Sequence, residues 1–425
     1  MAIIQNMPLP GVRVDFQSTG GSALIGETAG RSAFVVPKSW GPDDVFVEVD
    51  GGTNFLTLLG KELKDLVEIR ETFKGNGRAL IYLPAHTGAA KATATVSGLV
   101  ATAKYNGVLG NKLSIVIVKE VGGSITVKTI FNNRTVDEQL NVTALPVAND
   151  FIVFSGTIPT AAGTGNLVGG LDGTLTSSAY SDFLAGVEKY DFTHIAIGSE
   201  DESVKTIAVA KVRELQGLGR PVVLVTNSLA MDYEGVTSVK NSVTLEDGTV
   251  LAPKDVVYWV AAASAAAETN SLTYAAYPGA VDCERLSYAE TVAAVKAGHI
   301  VFIYKNDRVR IQQDINTLVT FTDTKNQDFS KNRIGRTMAI VETQVTSLFE
   351  ESFLGKFVNN LDGRENLKAA IITNVLDPLA MANAISYDPE EIAIEQGNNK
   401  DTVVVTVPIV INDAMEKLYV QVYCN

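Results

Sequence analysis

Residues 353–386 read FLGKFVNNLDGRENLKAAIITNVLDPLAMANAIS, and two strand-like segments follow them, residues 403–411 and 417–424. In the second segment, called the C-terminal arm here, Leu418, Val420 and Val422 alternate with polar and aromatic residues. This alternation is typical of a strand with one apolar face. The backbone N–H and C=O groups of such a strand need partners. The arm therefore either lies in its own domain or adds to the sheet of another chain.

The other end of the chain has a matching pattern. Val12, Val14 and Phe16 alternate with charged residues, which predicts a half-buried strand. Two prolines precede this strand and disfavour a helix. We therefore interpret residues 1–22 as an N-terminal arm, and we treat its three apolar residues as candidates for strand exchange between subunits.

The region just before the C-terminal arm supplies a candidate edge for such a strand. Residues 329–378 have helical spacing, with a second helix predicted to end near Asp377-Pro378. Residues 403–411 are apolar on both faces, which predicts a strand inside its own domain, and Pro408 confines that strand to an edge or a bulge. The candidate acceptor residues are therefore Val403, Val405 and Val407.

The rest of the chain predicts a mixed architecture. Strand and helix patterns alternate in residues 23–90 and 180–321, which indicates an α/β core with a mostly parallel sheet. Residues 91–179 are rich in Thr, Val and Ile, with a predicted hairpin across Gly122-Gly123, and form a β-rich insertion. Residues 322–425 form a C-terminal assembly domain of helices and strands. The predicted fold class is thus α/β and α+β multidomain, with an extended arm at each end.

Composition excludes several classes of function. The net charge of −13 disfavours nucleic-acid binding. The chain has two cysteines, far apart, so neither a disulfide framework nor a metal site follows, and folding in a reducing cytoplasm is expected. The N-terminus lacks the pattern of a signal peptide, and no apolar stretch reaches the roughly 20 residues that cross a bilayer. We therefore predict no membrane insertion.

Motifs for catalysis are missing from the sequence. His86, His194 and His299 lack the spacing of a zinc site, so a structural or surface role is favoured for each. Neither a nucleophile elbow nor a P-loop is present. We therefore predict no catalytic residue, cofactor or metal site. Two alternatives stay open: an α/β hydrolase-like enzyme with an appended β module, and a surface-layer protein, although the export signal that the latter needs is missing.

One basic cluster departs from the acidic average. It contains Lys325, Lys331, Arg333 and Arg336, near the predicted start of a long helix. A solvated helix start is the simpler interpretation of this cluster. The alternative is a surface that binds an acidic partner.

Four short stretches, in order, resemble contractile-tail sheath proteins: PGVRV at residues 10–14, KYNGVLGNKLS at 104–114, YKNDRVR at 304–310 and LGKFVNN at 354–360. That family covers myophage tails, phage-like bacteriocins and related injection particles. The resemblance implies a structural protein that is not an enzyme and needs no cofactor. It also implies stacked six-membered rings around an inner tube, joined by arms that add strands to a neighbouring subunit's C-terminal sheet.

The resemblance further implies the partners. These are other copies of the chain, the inner tail tube protein, and baseplate and tail terminator proteins. Assembly is expected in the bacterial cytoplasm, and the product is expected to be a virion tail or a released bacteriocin-like particle. Since the family's sheath grips its tube through the C-terminal domain, the resemblance makes Lys331, Arg333 and Arg336 candidates for the tube-facing surface.

Overall fold

The computed structural model describes residues 30–423 of the 425-residue chain. The N-terminal arm, with Val12, Val14 and Phe16, lies outside these residues. The strands of the described part are β1 (Ser32–Val35), β2 (Val45–Asp50), β3 (Arg78–Leu83), β4 (Thr93–Val96), β5 (Leu99–Ala103), β6 (Leu113–Lys119), β7 (Ile125–Phe131), β8 (Arg134–Gln139), β9 (Ile152–Gly156), β10 (Gly163–Asn166), β11 (His194–Ile197), β12 (Val223–Asn227), β13 (Val236–Val239), β14 (Val243–Leu245), β15 (Val250–Leu251), β16 (Ala280–Cys283), β17 (His299–Ile300), β18 (Phe302–Lys305), β19 (Arg308–Ile311), β20 (Ile385–Tyr387), β21 (Ala393–Gln396), β22 (Val403–Thr406) and β23 (Ile409–Ile411).

The helices begin where the sequence offers caps. Asp201 accepts a hydrogen bond from the Ser203 N–H at the start of α4, and Ser287 forms a capping box with Glu290 at the start of α6. The α-helices of the described residues are α1 (Phe55–Leu59), α2 (Val67–Gly75), α3 (Ser177–Gly186), α4 (Glu202–Gly217), α5 (Pro253–Ala266), α6 (Tyr288–Lys296), α7 (Asn332–Ser352), α8 (Leu361–Ile371) and α9 (Asp377–Met381).

The chain divides into two compact units. Among the described residues, the first unit contains residues 30–33, 71–77 and 190–423, and the second contains residues 34–70 and 78–189. The predicted domain boundaries at residues 22, 90, 179 and 321 differ from this division. Because compactness is a different criterion from independent folding, those boundaries stay predictions.

A parallel sheet forms the α/β layer of the first unit. In the order β1, β11, β12, β13 and β17, each strand runs parallel to its neighbour. All four residues of β11 are buried, as expected for a strand covered on both faces. Helix α5 packs on β11 and β12, and its small alanines allow a close approach to the sheet. The predicted strand–helix alternation of this region is confirmed.

The helices α7, α8 and α9 and the strands β20 to β23 share a second core in the same unit. The predicted end of the second helix near Pro378 is wrong, because one π turn (Ile372–Leu376) joins α8 to α9 and the helical path continues to Met381. Pro378 is the second residue of α9, directly after this π turn. The core contains Ile334, Val341, Phe353, Leu367, Ile371, Val375, Leu376, Leu379, Ala384, Ile385, Ile392 and Ile411.

The second unit is built mainly from antiparallel strands. Its sheets have the orders β10-β6-β7-β8 and β4-β5-β9, and β2 pairs with β3. The predicted hairpin of β6 and β7 is confirmed, and Gly123 has φ +86° at its turn, a conformation that favours glycine. Trp40 packs between aromatic rings in this core, with its centroid 6.0 Å from that of Phe151 and 6.3 Å from that of Phe131.

The two C-terminal strand predictions have different outcomes. Residues 403–411 do not form one strand, since β22 and β23 are separated by Val407 and Pro408. Pro408 therefore interrupts the strand, as its lack of an N–H requires. The described part of the C-terminal arm, residues 417–423, forms neither helix nor strand within this chain. That the arm forms a strand with another chain stays a prediction.

Candidate assembly interface

The hairpin of β21 and β22 has an outer edge that no other described strand occupies. Gln396 lies opposite Val403, and beyond this pair the Gly397 N–H donates to the Thr402 C=O at 2.8 Å. Hydrogen-bonded and non-hydrogen-bonded pairs alternate along an antiparallel ladder. It follows that the N–H and C=O groups of Val403 and Val405 point away from β21. We call this side of β22 the outer edge.

The outer edge lies beside an apolar surface. The half-buried side chains of Val403, Val405 and Val407 pack against the second core of the first unit. A strand added along this edge could therefore extend both the ladder and the apolar layer beneath it. All three predicted acceptor residues lie on this surface, although Val407 falls between β22 and β23.

The next strand pair, β20 and β23, forms a separate two-stranded sheet with a similar edge that is free among the described strands. The Asn412 N–H donates to the Ala384 C=O at 3.0 Å, just after β23. By the same alternation, the N–H and C=O groups of Ile409 point away from β20. Its side chain packs on the core, as those of the valines in β22 do. Each of the two short sheets thus has backbone groups that point away from its paired strand, one before Pro408 and one after it.

The predicted donor residues of the C-terminal arm are exposed. The relative accessibilities of Leu418, Val420 and Val422 are 86%, 72% and 75%. Tyr419 and Tyr423 on the alternate positions are also exposed. Large apolar side chains exposed together in one short segment mark a site of interaction. The structure thus leaves the arm without a covering surface among the described residues.

A buried carboxylate fixes the chain just before the arm. Glu416 accepts hydrogen bonds from Thr273 Oγ1 at 2.7 Å and from Gln313 Nε2 at 2.8 Å, and it forms an ion pair with Lys331. The side chain of Glu416 is only 10% exposed. We call these four residues the Glu416 clamp. Charge-assisted hydrogen bonds of this kind are stronger than neutral ones.

The basic residues at the start of α7 are committed to contacts within the chain. Lys331 pairs with Asp413 at 3.1 Å in addition to its pair in the clamp. Burial alone would lower the pKa of Lys331, but the two carboxylates outweigh burial and raise the pKa. Arg333 donates to the C=O groups of Asn412 and Thr269. Both side chains are mostly buried, so neither the solvated helix start nor a basic exposed surface describes them.

Arg336 lies in a separate buried network. Its Nη2 is 2.7 Å from Asp314 Oδ2, and its Nη1 donates to Ser264 Oγ at 3.0 Å. Burial alone would raise the pKa of Asp314, but Arg336 and further hydrogen bonds outweigh burial and hold the pKa below its usual range. The Nε2 of His194 is 3.0 Å from the same Ser264 hydroxyl. Burial, assisted by Arg336, lowers the pKa of His194 to about 3.

The structural interpretation of two histidines fits their positions. His194 and His299 are buried at the first positions of β11 and β17 in the parallel sheet, and His299 Nδ1 is 3.0 Å from Ser238 Oγ. Within residues 30–423, no group of three His, Cys, Asp or Glu side chains could hold a metal ion. None of the described helices combines the length and apolarity that crossing a membrane requires.

The sequence alone did not predict the acidic partners of the basic residues, Glu416 in the Glu416 clamp and Asp314 in the network around Arg336. Glu416 lies 85 residues after Lys331, and Asp314 lies 22 residues before Arg336. No short motif connects residues at such separations. The only signal was the basic cluster itself, in a chain whose net charge is −13. Cations at the start of a helix oppose the helix dipole, and that cost suggests partners elsewhere in the fold.

Two family models match the chain. The model of the phage tail sheath protein central domain matches residues 173–317, and that of the phage tail sheath C-terminal domain matches residues 324–425. The phage-like element PBSX protein XkdK of Bacillus subtilis (strain 168) is 32% identical over 454 residues, which covers 98% of this chain and 97% of that protein. The chain belongs to the phage tail sheath family. The predicted membership of this family is thereby confirmed.

Solved structures of sheath proteins share the fold. The sheath tail protein from Desulfitobacterium hafniense is 31% identical, with a TM-score of 0.81 over 95% of this chain and 100% of that one. The contracted helical sheath of the anti-feeding prophage is 11% identical, with a TM-score of 0.59 over 98% of this chain and 99% of that one, and shows likeness of fold alone. The mixed α/β fold with several sheets therefore matches that of sheath proteins.

Proposed function

We propose that this sheath-family chain polymerises by strand exchange between subunits around an inner tube, and contracts to drive the tube through a cell envelope. One observation carries the proposal. The same chain presents an outer edge with the backbone groups of Val403 and Val405 directed outward, and an arm whose Leu418, Val420 and Val422 side chains are exposed. Addition of a strand to an exposed sheet edge would satisfy both.

Typical free energies indicate that the contact between one arm and the edge of one neighbouring subunit is of moderate strength. Burying three apolar side chains contributes about 1.5–3 kcal/mol each, or about 5–9 kcal/mol. Six main-chain hydrogen bonds at about 0.5–1.5 kcal/mol net each add about 3–9 kcal/mol. Ordering seven residues costs about 7–14 kcal/mol at about 1–2 kcal/mol each. A single link is therefore near balance, and the assembly would depend on many links acting together.

The N-terminal arm is the second proposed donor. Val12, Val14 and Phe16 have the same alternation as the C-terminal arm. We expect a chain that lacks residues 1–16 to stay soluble and not to polymerise. Normal tubes from that truncation would contradict its role in strand exchange.

The proposed partners follow from the sheath role. They are other copies in six-membered rings, the inner tube protein, and baseplate and tail terminator proteins, with assembly in the bacterial cytoplasm before release in a particle. Lys331, Arg333 and Arg336 stay the predicted tube-facing residues, but their contacts within the chain weigh against that role. Reversing the charge of Lys331 would also break the Glu416 clamp, so loss of tube binding would not by itself identify a contact.

Paired variants test the donor face. Leu418→Lys with Val420→Lys places two charges on the apolar face of the arm, while Tyr419→Lys with Gln421→Lys places two charges on the alternate face. We expect the first variant to give no tubes in negative-stain microscopy and the second to retain them, since only the first prevents burial against a core. Equal assembly of both variants would contradict strand exchange by this arm.

A further inference from the structure

The C-terminal arm follows closely after a possible acceptor edge of its own subunit. Only residues 412–416 separate the end of β23 from the arm. Connections of four or five residues are common in β-hairpins. The arm could therefore turn back and pair with Ile409 and the strand beyond it. Segments joined by short connections have effective concentrations of roughly millimolar, so pairing within one subunit would compete with pairing between subunits.

In the structure, the described part of the arm does not pair with a strand of its own subunit. β22 and β23 each pair with a single described strand, β21 and β20, and residues 417–423 join neither. The arm is exposed although a possible partner strand lies a few residues away in the sequence. Some contact must hold the connecting residues in a path that does not form a hairpin loop.

The connecting residues are held at both ends. At the first end, the Asn412 N–H donates to Ala384 C=O and its Nδ2 donates to Asn383 C=O at 3.1 Å. At the second end, the Glu416 clamp binds the chain to Thr273 and Gln313, which follow α5 and β19 in the first unit. A hairpin loop would have to release Glu416 from these partners, leaving Lys331 without one of its two carboxylates.

From this geometry we infer that the Glu416 clamp prevents the C-terminal arm from pairing with the edge of its own subunit, and so keeps arm and edge available to a second copy of this chain. The inference rests on the proposed function, since it gives the clamp a role only if arms pair between subunits. Low exposure of the clamp limits screening by salt, so the clamp stays closed over the ionic strengths at which surface pairs weaken.

The test uses the full chain with Glu416→Ala, and Glu390→Ala as a matched control because Glu390 is exposed and outside the clamp. In dilute monomer, amide hydrogen exchange at Val405 and Ile409, whose N–H groups point away from β21 and β20, reports whether the arm has paired with its own subunit. We expect Glu416→Ala to slow exchange there at least tenfold and to raise the concentration needed for polymerisation at least tenfold. Glu390→Ala should change neither. Gln313→Ala, which removes one donor to Glu416, should act in the same direction by a smaller factor.

Deletion of residues 417–425 distinguishes the proposed strand exchange by the arm from the inferred role of the Glu416 clamp. Added to Glu416→Ala, the deletion should restore fast exchange at Val405 and Ile409, because the self-paired strand is gone. If the deletion alone leaves polymerisation intact, the proposed strand exchange by this arm fails. If the deletion abolishes polymerisation while Glu416→Ala polymerises as the unmodified chain does, or leaves exchange unchanged, only the role of the clamp is overturned.

Discussion

The buried pair of Arg336 and Asp314 gives the sharpest prediction for stability. Arg336→Met keeps most of the side-chain volume and removes the guanidinium. The Asp314 carboxylate, 1% exposed, would then keep its bonds from the Leu272 N–H and Asn332 Nδ2 but lose the cation that pairs with it. Removing one member of a buried pair typically costs about 3–5 kcal/mol, because the other charge is left without compensation.

A surface pair with the same chemistry supplies the control. Arg285 and Asp282 are 3.1 Å apart, with side chains 64% and 46% exposed. Arg285→Met should cost about 0–1 kcal/mol, as is usual for exposed ion pairs. Both substitutions replace an arginine that pairs with an aspartate, one buried and one exposed. Arg336→Met additionally removes the hydrogen bonds to Ser264 and to the C=O groups of Glu268 and Asn270, which adds to its cost.

Fluorescence can follow the first unit alone. The chain has two tryptophans, so Trp40→Phe leaves Trp259, which is buried in α5, as the reporter. At a urea m-value of about 2 kcal/mol/M, Arg336→Met should lower the unfolding midpoint by about 1.5–2.5 M. Adding Asp314→Asn should recover at least about 1 kcal/mol relative to additivity. Equal midpoints for Arg336→Met and Arg285→Met would refute the argument.

Three further predictions concern other parts of the fold. Gly107 has φ +121°, and an added Cβ would lie 2.0 Å from a backbone oxygen, so Gly107→Ala should cost on the order of 1–3 kcal/mol in the second unit. Gly122→Ala, with open space around it, should be neutral. Thermal unfolding of both variants is followed by Trp40 fluorescence in a Trp259→Phe background. The pKa of His194 is lowered from 6.5 to about 3, so below pH 6.5 the unfolded chain binds a proton that the folded chain does not. The free energy of unfolding should therefore fall by up to about 1.4 kcal/mol per pH unit as the pH drops below 6.5. His194→Gln should remove this part of the pH dependence in thermal melts between about pH 7 and 4.5. Ile371→Ala in the second core should cost about 2–5 kcal/mol, while Met381→Ala on the surface should stay within about 0.5 kcal/mol by urea titration.

Local patterns were sufficient to predict much of the secondary structure. The buried strand β11 and the hairpin of β6 and β7 follow from apolar runs and glycine turns, which act over a few residues. The end of the helical region was wrong because Pro378 looks like a stop signal in sequence. A π turn before it changes the hydrogen-bond pattern, and no local rule predicts that turn.

The candidate interface was predictable only in part. Alternation identified Leu418, Val420 and Val422 as one face of a strand, while an apolar run with Pro408 pointed to Val403, Val405 and Val407 as a possible edge, because both patterns are properties of a short segment. Partners are not a local property, and an alternating strand pairs equally well within a chain or between chains. The path of residues 412–416, on which the proposed pairing between chains relies, is set by contacts with residues far away in the sequence.

The cations at the start of α7 make contacts within the chain that the sequence did not predict, and these contacts bear on the proposed sheath. Lys331 and Arg333 hold residues 412–416, while Arg333 and Arg336 also bind the carbonyl groups of residues 268–270. The first turns of α7 thus hold two segments in place: residues 268–270, which follow α5, and residues 412–416, which precede the C-terminal arm. If the proposed contraction occurs, these buried contacts resist bending within the first unit. The change should then occur at contacts between subunits and in the arm beyond Glu416, whose described side chains at Leu418, Val420 and Val422 are exposed.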